Sequence, residues 1–480
     1  MSLRFYNSRT RTVEPFTPRE PGKVSLYTCG PTVYDYLHIG NWTAYIYWDV
    51  LVRVLQANNL QVERVMNITD VGHLVSDADE GQDKLEKGAK REGKTAWDVA
   101  QFYGDYFLRS LATLNLIQPT HITKATEFID EQLALVRTLK EKGYTYQISD
   151  GIYFDTSKFP TYADFARLDI KSLKAGARIE MNQEKRNPTD FALWKFSPEG
   201  EQRDMEWQTP TDLLEPSSEP VMGFPGWHLE CSAMAMSLLG NSLDIHTGGI
   251  DHIPVHHTNE IAQSEAASGE QFANFWLHNN HLKADGTKIS KSLGNGYTLE
   301  DLAEKGFSAQ DLRLFVLQSS YRSEGNFTFE NLAAAAARLK NWRKAAVLRH
   351  QTHATVDTSA GNVPSRASVH VLNEIIQNDL ATPEALAHID KVFAEVIDTP
   401  LHTINRSALQ EFITAADALL GLTLEADTPD ITDTQKQRII ERRRARDAKD
   451  WPRSDTLREE LLKDGISVRD TAQYSIWQRT

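Results

Sequence analysis

A strand that runs directly into the start of a helix, within residues 24–42, most limits what this chain can fold into. Residues 24–29 alternate along a β-rich run that Gly30-Pro31 ends, a pattern that predicts a buried strand ending at Cys29. Residues 44–55 carry apolar side chains at helical spacing. A strand, a loop and a helix in this order predict the beginning of a nucleotide-binding α/β unit.

The predicted start of this helix is suited to binding phosphate. Free backbone amides and the positive end of the helix dipole both attract anions at this position. His38 and Asn41 would add side-chain donors around Gly40. The alternative is that His38 only caps the helix.

A second phosphate-binding candidate lies about 250 residues later, at residues 285–295. Lys288, Ser290 and Lys291 place cations and a hydroxyl between glycines, a composition suited to gripping a phosphate chain. As an isolated segment it is more often just a solvated turn.

The chain contains two cysteines, Cys29 and Cys231, which excludes a disulfide framework. His256 and Glu260 are four residues apart and therefore share one helix face. Two thiols, an imidazole and a carboxylate are a plausible zinc set. The alternative is that both cysteines are small buried apolar residues and that the His-x-x-x-Glu spacing occurs by chance.

The two phosphate-binding candidates together resemble the paired signatures of class I aminoacyl-tRNA synthetases. Residues 29–35, 226–234 and 256–264 further resemble the corresponding stretches of cysteinyl-tRNA synthetases, in order and spacing. The first signature ends in Asn41 where the class more often has histidine.

The resemblance implies a role for each candidate residue. It implies that Cys29, Cys231, His256 and Glu260 bind zinc, and that the thiol of the substrate joins the metal. It assigns catalysis to His38, Asn41, Lys288 and above all Lys291, with Ser290 as a helper. ATP is expected at His38, Gly40, Asn41, Gly249, Asp251 and Lys291, and the amino acid near Thr69 and Trp227. Without the resemblance, Gly248-Gly249 is an ordinary turn and Trp227 an ordinary core aromatic residue.

The implied reaction joins L-cysteine to the 3′-terminal ribose of tRNA(Cys) through a cysteinyl-adenylate, with Mg²⁺ accompanying ATP. A physical reason supports the expectation of one zinc ion per chain. A hydrophobic pocket distinguishes near-isosteres such as cysteine and serine by only about 10²-fold. Zinc binds a thiolate and binds an aliphatic hydroxyl poorly, and can therefore supply the missing specificity.

The pattern predicts a Rossmann-like parallel-sheet catalytic domain, an inserted connective-peptide-like domain, a helical bundle and a small anticodon-binding module. The expected boundaries are 1–143 and 224–306 for the two catalytic halves, 144–223 for the insertion, 307–365 for a stem-contact-like helical region, 366–430 for the bundle and 431–480 for the module. Residues 202–223, which are rich in Pro, Glu and Ser, are expected to form an exposed loop.

Composition limits the class of protein. A formal charge of −14 over 480 residues makes a general nucleic-acid coat protein improbable, but residues 436–463 hold ten Lys or Arg against six Asp or Glu. Such a segment is either a solvated helix face or a local RNA-binding surface. No run of about 20 apolar residues is present, and we expect a cytoplasmic monomer with no membrane partner.

Two other functions fit parts of the pattern. The related ligase that joins cysteine to an amino sugar in mycothiol synthesis shares the zinc and ATP sites but lacks the anticodon module. A non-catalytic synthetase paralogue that binds RNA would keep the module, and its failure to form an adenylate would distinguish it.

Overall fold

The computed structural model describes residues 3–72, 85–86, 88–89, 93–169, 183–198, 200, 203–216, 218–290, 293–351, 362–471 and 474–479. The chain divides into two compact units. The larger comprises Ser2–Leu302 and Tyr321–Asn326, and the smaller comprises Ala303–Ser320 and Phe327–Thr480.

The secondary structure alternates strands and helices in the first half of the chain and is mainly helical in the second. The strands are β1 Arg4–Asn7, β2 Thr12–Pro15, β3 Lys23–Thr28, β4 Gln61–Ile68, β5 His121–Lys124, β6 Thr145–Ile148, β7 Gly151–Phe154, β8 Phe191–Phe196, β9 Trp207–Gln208, β10 Met222–Pro225, β11 Leu243–Gly249, β12 Ala273–Asn279, β13 Leu282–Ala284, β14 Thr287–Lys288, β15 Gly325–Phe327, β16 Ile466–Asp470 and β17 Ser475–Arg479. The α-helices are α1 Ile39–Ala57, α2 Ala96–Thr113, α3 Ile129–Glu141, α4 Trp227–Leu239, α5 His256–Ser268, α6 Leu299–Glu304, α7 Ala309–Leu317, α8 Phe329–Ala346, α9 Ala367–Ile376, α10 Thr382–Asp398, α11 Arg406–Leu420, α12 Leu424–Asp427, α13 Asp433–Asp447 and α14 Trp451–Lys463.

A five-stranded parallel sheet of order β12-β11-β3-β4-β5 forms the centre of the larger unit. The predicted α/β class with a parallel sheet is therefore confirmed. β3 is followed by β4 on one side and is flanked by β11, from much later in the chain, on the other. Loops diverge at such a reversal of strand order, and ligands of open α/β sheets bind there, beyond the carboxyl ends of the strands.

Helix α1 follows β3 and packs its apolar face into the core. The side chain of Trp42 is fully buried and stacks on Phe107 of α2, with the ring centroids 5.6 Å apart. The neighbouring Thr43 satisfies its hydroxyl by donating to the carbonyl of Ile39 at 2.9 Å. An aromatic residue and a threonine at the start of α1 are therefore accommodated by packing within the unit.

The segment from β6 to β10 forms a second, antiparallel sheet of order β6-β7-β8-β10-β9. Its first hairpin, predicted around Asp150-Gly151, is present, and the two residues of its turn are Ser149 and Asp150. The expectation that residues 202–223 form an exposed loop is wrong for the described part of that segment. Trp207 pairs with Gly223 in the sheet, and Met205, Thr209 and Leu213 are buried, because the segment supplies an edge strand and apolar anchors.

The smaller unit is helical and ends in a helix pair, α13 and α14, followed by the hairpin β16–β17. Trp477 is fully buried, and its backbone N–H and carbonyl both bond the side-chain amide of Gln351. This two-point contact fixes the last strand, β17, against the chain that follows α8. Across the described residues, no helix combines the length and apolar character needed to cross a bilayer.

Candidate active site

A cavity of about 570 Å³ lies at the carboxyl ends of β3 and β11 in the larger unit. It is lined by several of the residues singled out by the sequence, namely Cys29, His38, Gly40, Asn41, Trp227, Gly249, Asp251 and Lys288. The structure thus brings together side chains that lie up to about 260 residues apart in sequence. Its volume is within the range typical of small-molecule sites.

One wall of the cavity is the start of α1. His38 is the residue that caps the helix, and its Nδ1 accepts a hydrogen bond from the Asn41 N–H at 3.3 Å. The Asn41 Oδ1 in turn accepts from the His38 N–H at 3.1 Å. The reciprocal capping fixes both side chains at the cavity wall while the helix start, with its positive dipole end, faces the same space.

The loop that follows β14 packs against this helix start. A side chain on Gly40 would approach Ile289 Cδ1 to 3.2 Å, and one on Gly296 would meet His38 Cδ2 at 3.4 Å. The Asn295 side chain accepts from the Ser290 N–H at 2.9 Å and donates to the Lys288 carbonyl at 3.2 Å. Sequence reasoning assigned no role to Asn295, which ties the two sides of the loop. Lys291 and Ser292 lie outside the described residues.

Another wall of the cavity is the end of β11. A side chain on Gly248 would come within 2.6 Å of the His257 ring, and one on Gly249 within 2.3 Å of Asp251 Oδ1. Both glycines therefore allow a close approach between the strand end and its neighbours that larger residues prevent. At this wall the cavity is lined by the backbone of the two glycines and by the Asp251 carboxylate.

A cluster of thiol, imidazole and carboxylate groups lies buried beside Cys29. Candidate ligand atoms of Cys29, His256, His257 and Glu260 all lie within 4.8 Å of one another. The fourth residue that the sequence proposed, Cys231, is 2% exposed and shares a side-chain hydrogen bond with Cys29. The structure therefore gathers the four predicted ligands and adds His257, whose Nε2 lies 3.3 Å from Cys29 Sγ.

Burial and the interactions between neighbouring groups act together on the pKa values of this cluster. Burial raises the pKa of Cys29, and the hydrogen bond from Cys29 lowers the pKa of Cys231. Burial alone would lower the pKa of His256, but the Glu260 carboxylate and Cys231 outweigh it and raise that pKa. Burial likewise would raise the pKa of Glu260, and His246 and His256 outweigh it and lower that pKa. The cluster thus favours a carboxylate and a thiolate around a cation.

The donor set fits a divalent metal ion of the zinc type. Glu260 is fully buried, and its Oε2 lies 2.8 Å from His246 Nε2. Its Oε1 lies 2.9 Å from His256 Nε2 without hydrogen-bond geometry and has no hydrogen-bond partner among the described residues. An orphaned buried carboxylate oxygen beside an imidazole nitrogen and two sulfurs is the arrangement expected where these atoms share a metal.

Further histidines surround the cluster. His246 holds Glu260 as described, His228 Nδ1 lies 2.8 Å from His256 Nδ1, and His257 Nδ1 lies 2.7 Å from His278 Nε2. Such outer partners orient metal ligands and tune their basicity. Sequence reasoning gave none of them a role. The His256-His257 pair was visible in the sequence, but the position of the others follows only from the way β11, β12 and α4 meet.

Trp227 and Thr69, the two residues proposed to lie near the amino acid, occupy different positions. Trp227 lines the cavity, with its ring centroid 5.4 Å from that of His256. Thr69 is 2% exposed and is not among the described residues that line the cavity. Its hydroxyl donates to Glu230 Oε2 at 3.0 Å. Trp227 is therefore placed to contact a ligand in the cavity, whereas the Thr69 hydroxyl is bonded to Glu230.

Comparison with known families matches most of the chain. Residues 15–337 match the family model described as tRNA synthetases class I (C) catalytic domain. Residues 428–477 match the model described as cysteinyl-tRNA ligase anticodon binding domain. The chain is 44% identical over 477 residues to Cysteine–tRNA ligase 1 of Burkholderia lata, covering 98% of this chain and 96% of that protein. It is 37% identical over 506 residues to the Cysteine–tRNA ligase of Treponema denticola, covering the whole of both chains.

The fold is also similar to solved synthetase structures. A structure of Mycobacterium tuberculosis methionyl-tRNA synthetase in complex with methionyl-adenylate superposes with a TM-score of 0.60 at 14% identity. The match covers 84% of this chain and 92% of that one. At this identity the likeness establishes a shared fold.

Proposed function

Since the chain belongs to the cysteinyl-tRNA synthetase family of class I aminoacyl-tRNA synthetases and is an enzyme that joins cysteine to tRNA, we propose that its 570 Å³ cavity activates cysteine with ATP and that zinc selects the thiol. The observation that carries the proposal is the buried cluster of Cys29, His256, His257 and Glu260, with Cys231 bonded to Cys29, beside a cavity lined by Cys29, a helix start and a lysine.

Different residues around the cavity bind different parts of the substrates during activation. The start of α1 and Lys288 attract the phosphates of ATP, and the end of β11 with Asp251 receives the adenosine. The cysteine carboxylate then attacks the α-phosphorus in line, and pyrophosphate leaves. Mg²⁺ is expected with the nucleotide, as in phosphoryl-group chemistry generally. Catalysis in this scheme is positioning together with stabilisation of negative charge.

The part of the cavity beside Cys29, the amino-acid end, is proposed to recognise the thiol of the substrate cysteine. When bound, zinc would accept the thiolate of cysteine and leave the hydroxyl of serine poorly bound. Cys29, Cys231, His256 and Glu260 would hold the ion, with His246 orienting Glu260 and His228 orienting His256. Trp227 forms an apolar wall beside this group and limits the side-chain volume that fits.

The acceptor of the cysteine is tRNA, and the C-terminal module supports its recognition. Trp451, the first residue of α14, is 51% exposed, and the guanidinium of Arg446 lies 5.7 Å from its ring. An exposed aromatic ring beside a cation suits stacking with an unpaired base. The presence of this module disfavours the amino-sugar ligase as an alternative.

The test is cysteine-dependent exchange of pyrophosphate into ATP by the purified protein, with serine as competitor, zinc counted by elemental analysis, and charging of tRNA(Cys) measured separately. We expect exchange with cysteine, little with serine and about one zinc per chain. Exchange without zinc would overturn the account of specificity. Zinc without exchange would favour the non-catalytic RNA-binding paralogue.

Lys291 remains the proposed main catalytic residue, on the resemblance of residues 288–292 to the second class I signature. We expect Lys291→Ala to lower the exchange rate by orders of magnitude with zinc still bound, because a charge that stabilises the transition state is removed. Lys305→Ala, a change of a lysine outside the loop, is the control. Exchange near the wild-type rate in Lys291→Ala would refute this role.

A further inference from the structure

Two lysines face each other across the hairpin formed by β13 and β14. The strands pair so that Lys283 lies directly opposite Lys288. Residues directly opposite in an antiparallel pair project from the same face of the sheet, and both lysines line the 570 Å³ cavity. Like charges in such a position repel each other and destabilise the pairing. The arrangement is therefore suited to an anion that both lysines can contact.

The turn of the hairpin fixes this register. Asp285 and Gly286 are the two residues between the strands, with φ of 49° and 74°. Positive φ at both central residues is the geometry of a type I′ turn, which matches the twist of the flanking strands. The Gly286 N–H donates to Asn326 Oδ1 at 2.7 Å and ties the turn to β15. A slip of one residue would move one lysine to the other face of the sheet, so the turn keeps both lysines on the cavity side.

A carboxylate at the cavity offsets part of this positive charge. Glu324 Oε1 lies 2.7 Å from Lys283 Nζ, and Glu324 lines the same cavity. The Gly325 N–H donates to the His281 carbonyl at 2.9 Å, which places Glu324 beside β13. The side chains of Lys283 and Glu324 are 38% and 46% exposed, and an ion pair with this exposure contributes little because water and salt screen it. Phosphate oxygens can therefore replace Glu324 at Lys283 at small cost.

We propose that Lys283 is a further phosphate-contacting residue of the activation reaction, and that it exchanges the Glu324 carboxylate for phosphate oxygens when ATP binds. Lys283 and Lys288 then hold the phosphate chain from two strands, and they stabilise the charge that develops on pyrophosphate as it leaves. This inference rests on the proposed function of the cavity. Lys283 lies outside residues 285–295, and sequence reasoning assigned it no role.

A phosphate-contacting lysine and a purely structural ion pair respond differently to substitution. If the pair only held the hairpin in place, removing either partner would affect the site in the same direction. Because Glu324 competes with phosphate for Lys283, removing the lysine weakens nucleotide binding and removing the carboxylate strengthens it. In the proposed scheme cysteine binds at the amino-acid end, beside Cys29, so its KM should stay unchanged in both cases.

The decisive experiment measures cysteine-dependent pyrophosphate exchange by Lys283→Ala and Glu324→Gln over a range of ATP and pyrophosphate concentrations. We expect Lys283→Ala to raise the KM for ATP and the KM for pyrophosphate about ten-fold, the effect of one lost charge-assisted hydrogen bond. Glu324→Gln keeps the size and loses the charge, and should lower both KM values about two-fold. Lys283→Arg should stay close to wild type, because it keeps a positive charge that binds phosphate.

The Lys23–Glu20 pair is the matched control. Its Nζ–Oε1 distance is 2.6 Å and both side chains are likewise exposed. Lys23 is the first residue of β3, whereas the cavity lies at the carboxyl end of that strand. Lys23→Ala and Glu20→Gln should therefore leave the KM values for ATP, pyrophosphate and cysteine at wild type.

A double-mutant cycle gives a second readout. In the Lys283→Ala background, Glu324→Gln should no longer lower the KM for ATP, because the carboxylate acts through the lysine. Should Lys283→Ala not fold, Lys283→Met keeps the apolar stem and gives the same test.

Three results would overturn the proposal: an unchanged KM for ATP in Lys283→Ala, a KM for ATP that Glu324→Gln does not lower, or an equal rise in the KM for cysteine. A wild-type protein with no cysteine-dependent exchange would refute the proposed function, an outcome separate from a normal wild type with an unaffected Lys283→Ala variant.

Discussion

Asp70 and Asp470 are the same residue type in two regions of the molecule, and their surroundings act on them in opposite ways. Burial just beyond the end of β4, in the larger unit, raises the pKa of Asp70 to about 6, even though Thr126 donates two hydrogen bonds to it. In the C-terminal module, two hydrogen bonds of 2.9 Å from Arg442 lower the pKa of Asp470 to about 2.

The difference extends to the regions as a whole. The catalytic region buries carboxylate, thiol and imidazole groups together in one cluster. The C-terminal module pairs its own charges, as in Arg438 with Asp464 and Arg453 with Glu441. The excess of basic residues in the sequence therefore overstates the charge available to RNA. Among the described residues of α13 and α14 and the turn between them, several exposed basic side chains have no ion pair, namely Arg444, Lys449, Arg458 and Lys463.

The largest expected effect concerns the cluster in the catalytic region. Cys231→Ala should abolish zinc binding and lower cysteine-dependent exchange by about 10³-fold or more, because even outer partners of metal ligands are worth 10–100-fold. Elemental analysis and pyrophosphate exchange measure the two effects. Met234→Leu, a conservative buried change on the same helix, is the control. Full zinc content in Cys231→Ala would show that the cluster does not depend on this thiol.

In the C-terminal module, removing one partner of a buried ion pair should lower stability and tRNA charging and leave cysteine activation unchanged. Arg442 is 3% exposed, and removing it leaves the Asp470 carboxylate without its main partner. We expect Arg442→Ala to destabilise the module by about 3 kcal/mol, lowering tRNA charging while exchange remains normal. Denaturant unfolding and the two assays test this.

Arg453→Ala is the control for this change, because the Arg453–Glu441 pair is exposed and should contribute less than about 1 kcal/mol. Equal destabilisation by the two variants would remove the distinction between buried and exposed pairs in the module.

The fold and part of the site could be predicted from the sequence because their signals are local. Strand alternation before Gly30, the helix start at His38 and the spacing of His256 and Glu260 are each read within a few residues. The roles of His246 and His228 could not be predicted, since they depend on which strand ends and helices meet. The buried anchors Met205 and Leu213 were missed for the same reason, in a segment whose Pro, Glu and Ser content indicated an exposed loop.

The pH dependence of stability offers a finer test of the contrast between the two aspartates. The folded pKa of Asp70, about 6, exceeds its ordinary value of 3.8, so the folded state binds the proton more tightly. Its contribution to stability is present below pH 4 and is lost as pH rises through about 6, an effect of at most about 3 kcal/mol.

Asp70→Asn should therefore flatten the decline in the free energy of unfolding between pH 4 and pH 7, and make the protein more stable than wild type at pH 8 by about 1–2 kcal/mol. Denaturant unfolding at several pH values measures this. Asp105→Asn, on α2, controls for the change in net charge. An Asp70→Asn variant with the same pH profile as wild type would mean that burial does not govern this carboxyl group.

The smallest expected effect tests whether the C-terminal module relies on an aromatic surface once its charges are paired. Trp451 is 51% exposed, and stacking of one base on an aromatic ring is worth about 1–3 kcal/mol. Trp451→Ala should therefore weaken binding of tRNA(Cys) about ten-fold, with normal exchange and little change in stability. Leu462→Ala, at a 56% exposed apolar residue of the same helix, should leave binding unchanged. Equal losses in the two variants would indicate a general apolar contact, and no loss in either would leave recognition to the exposed cations of the module.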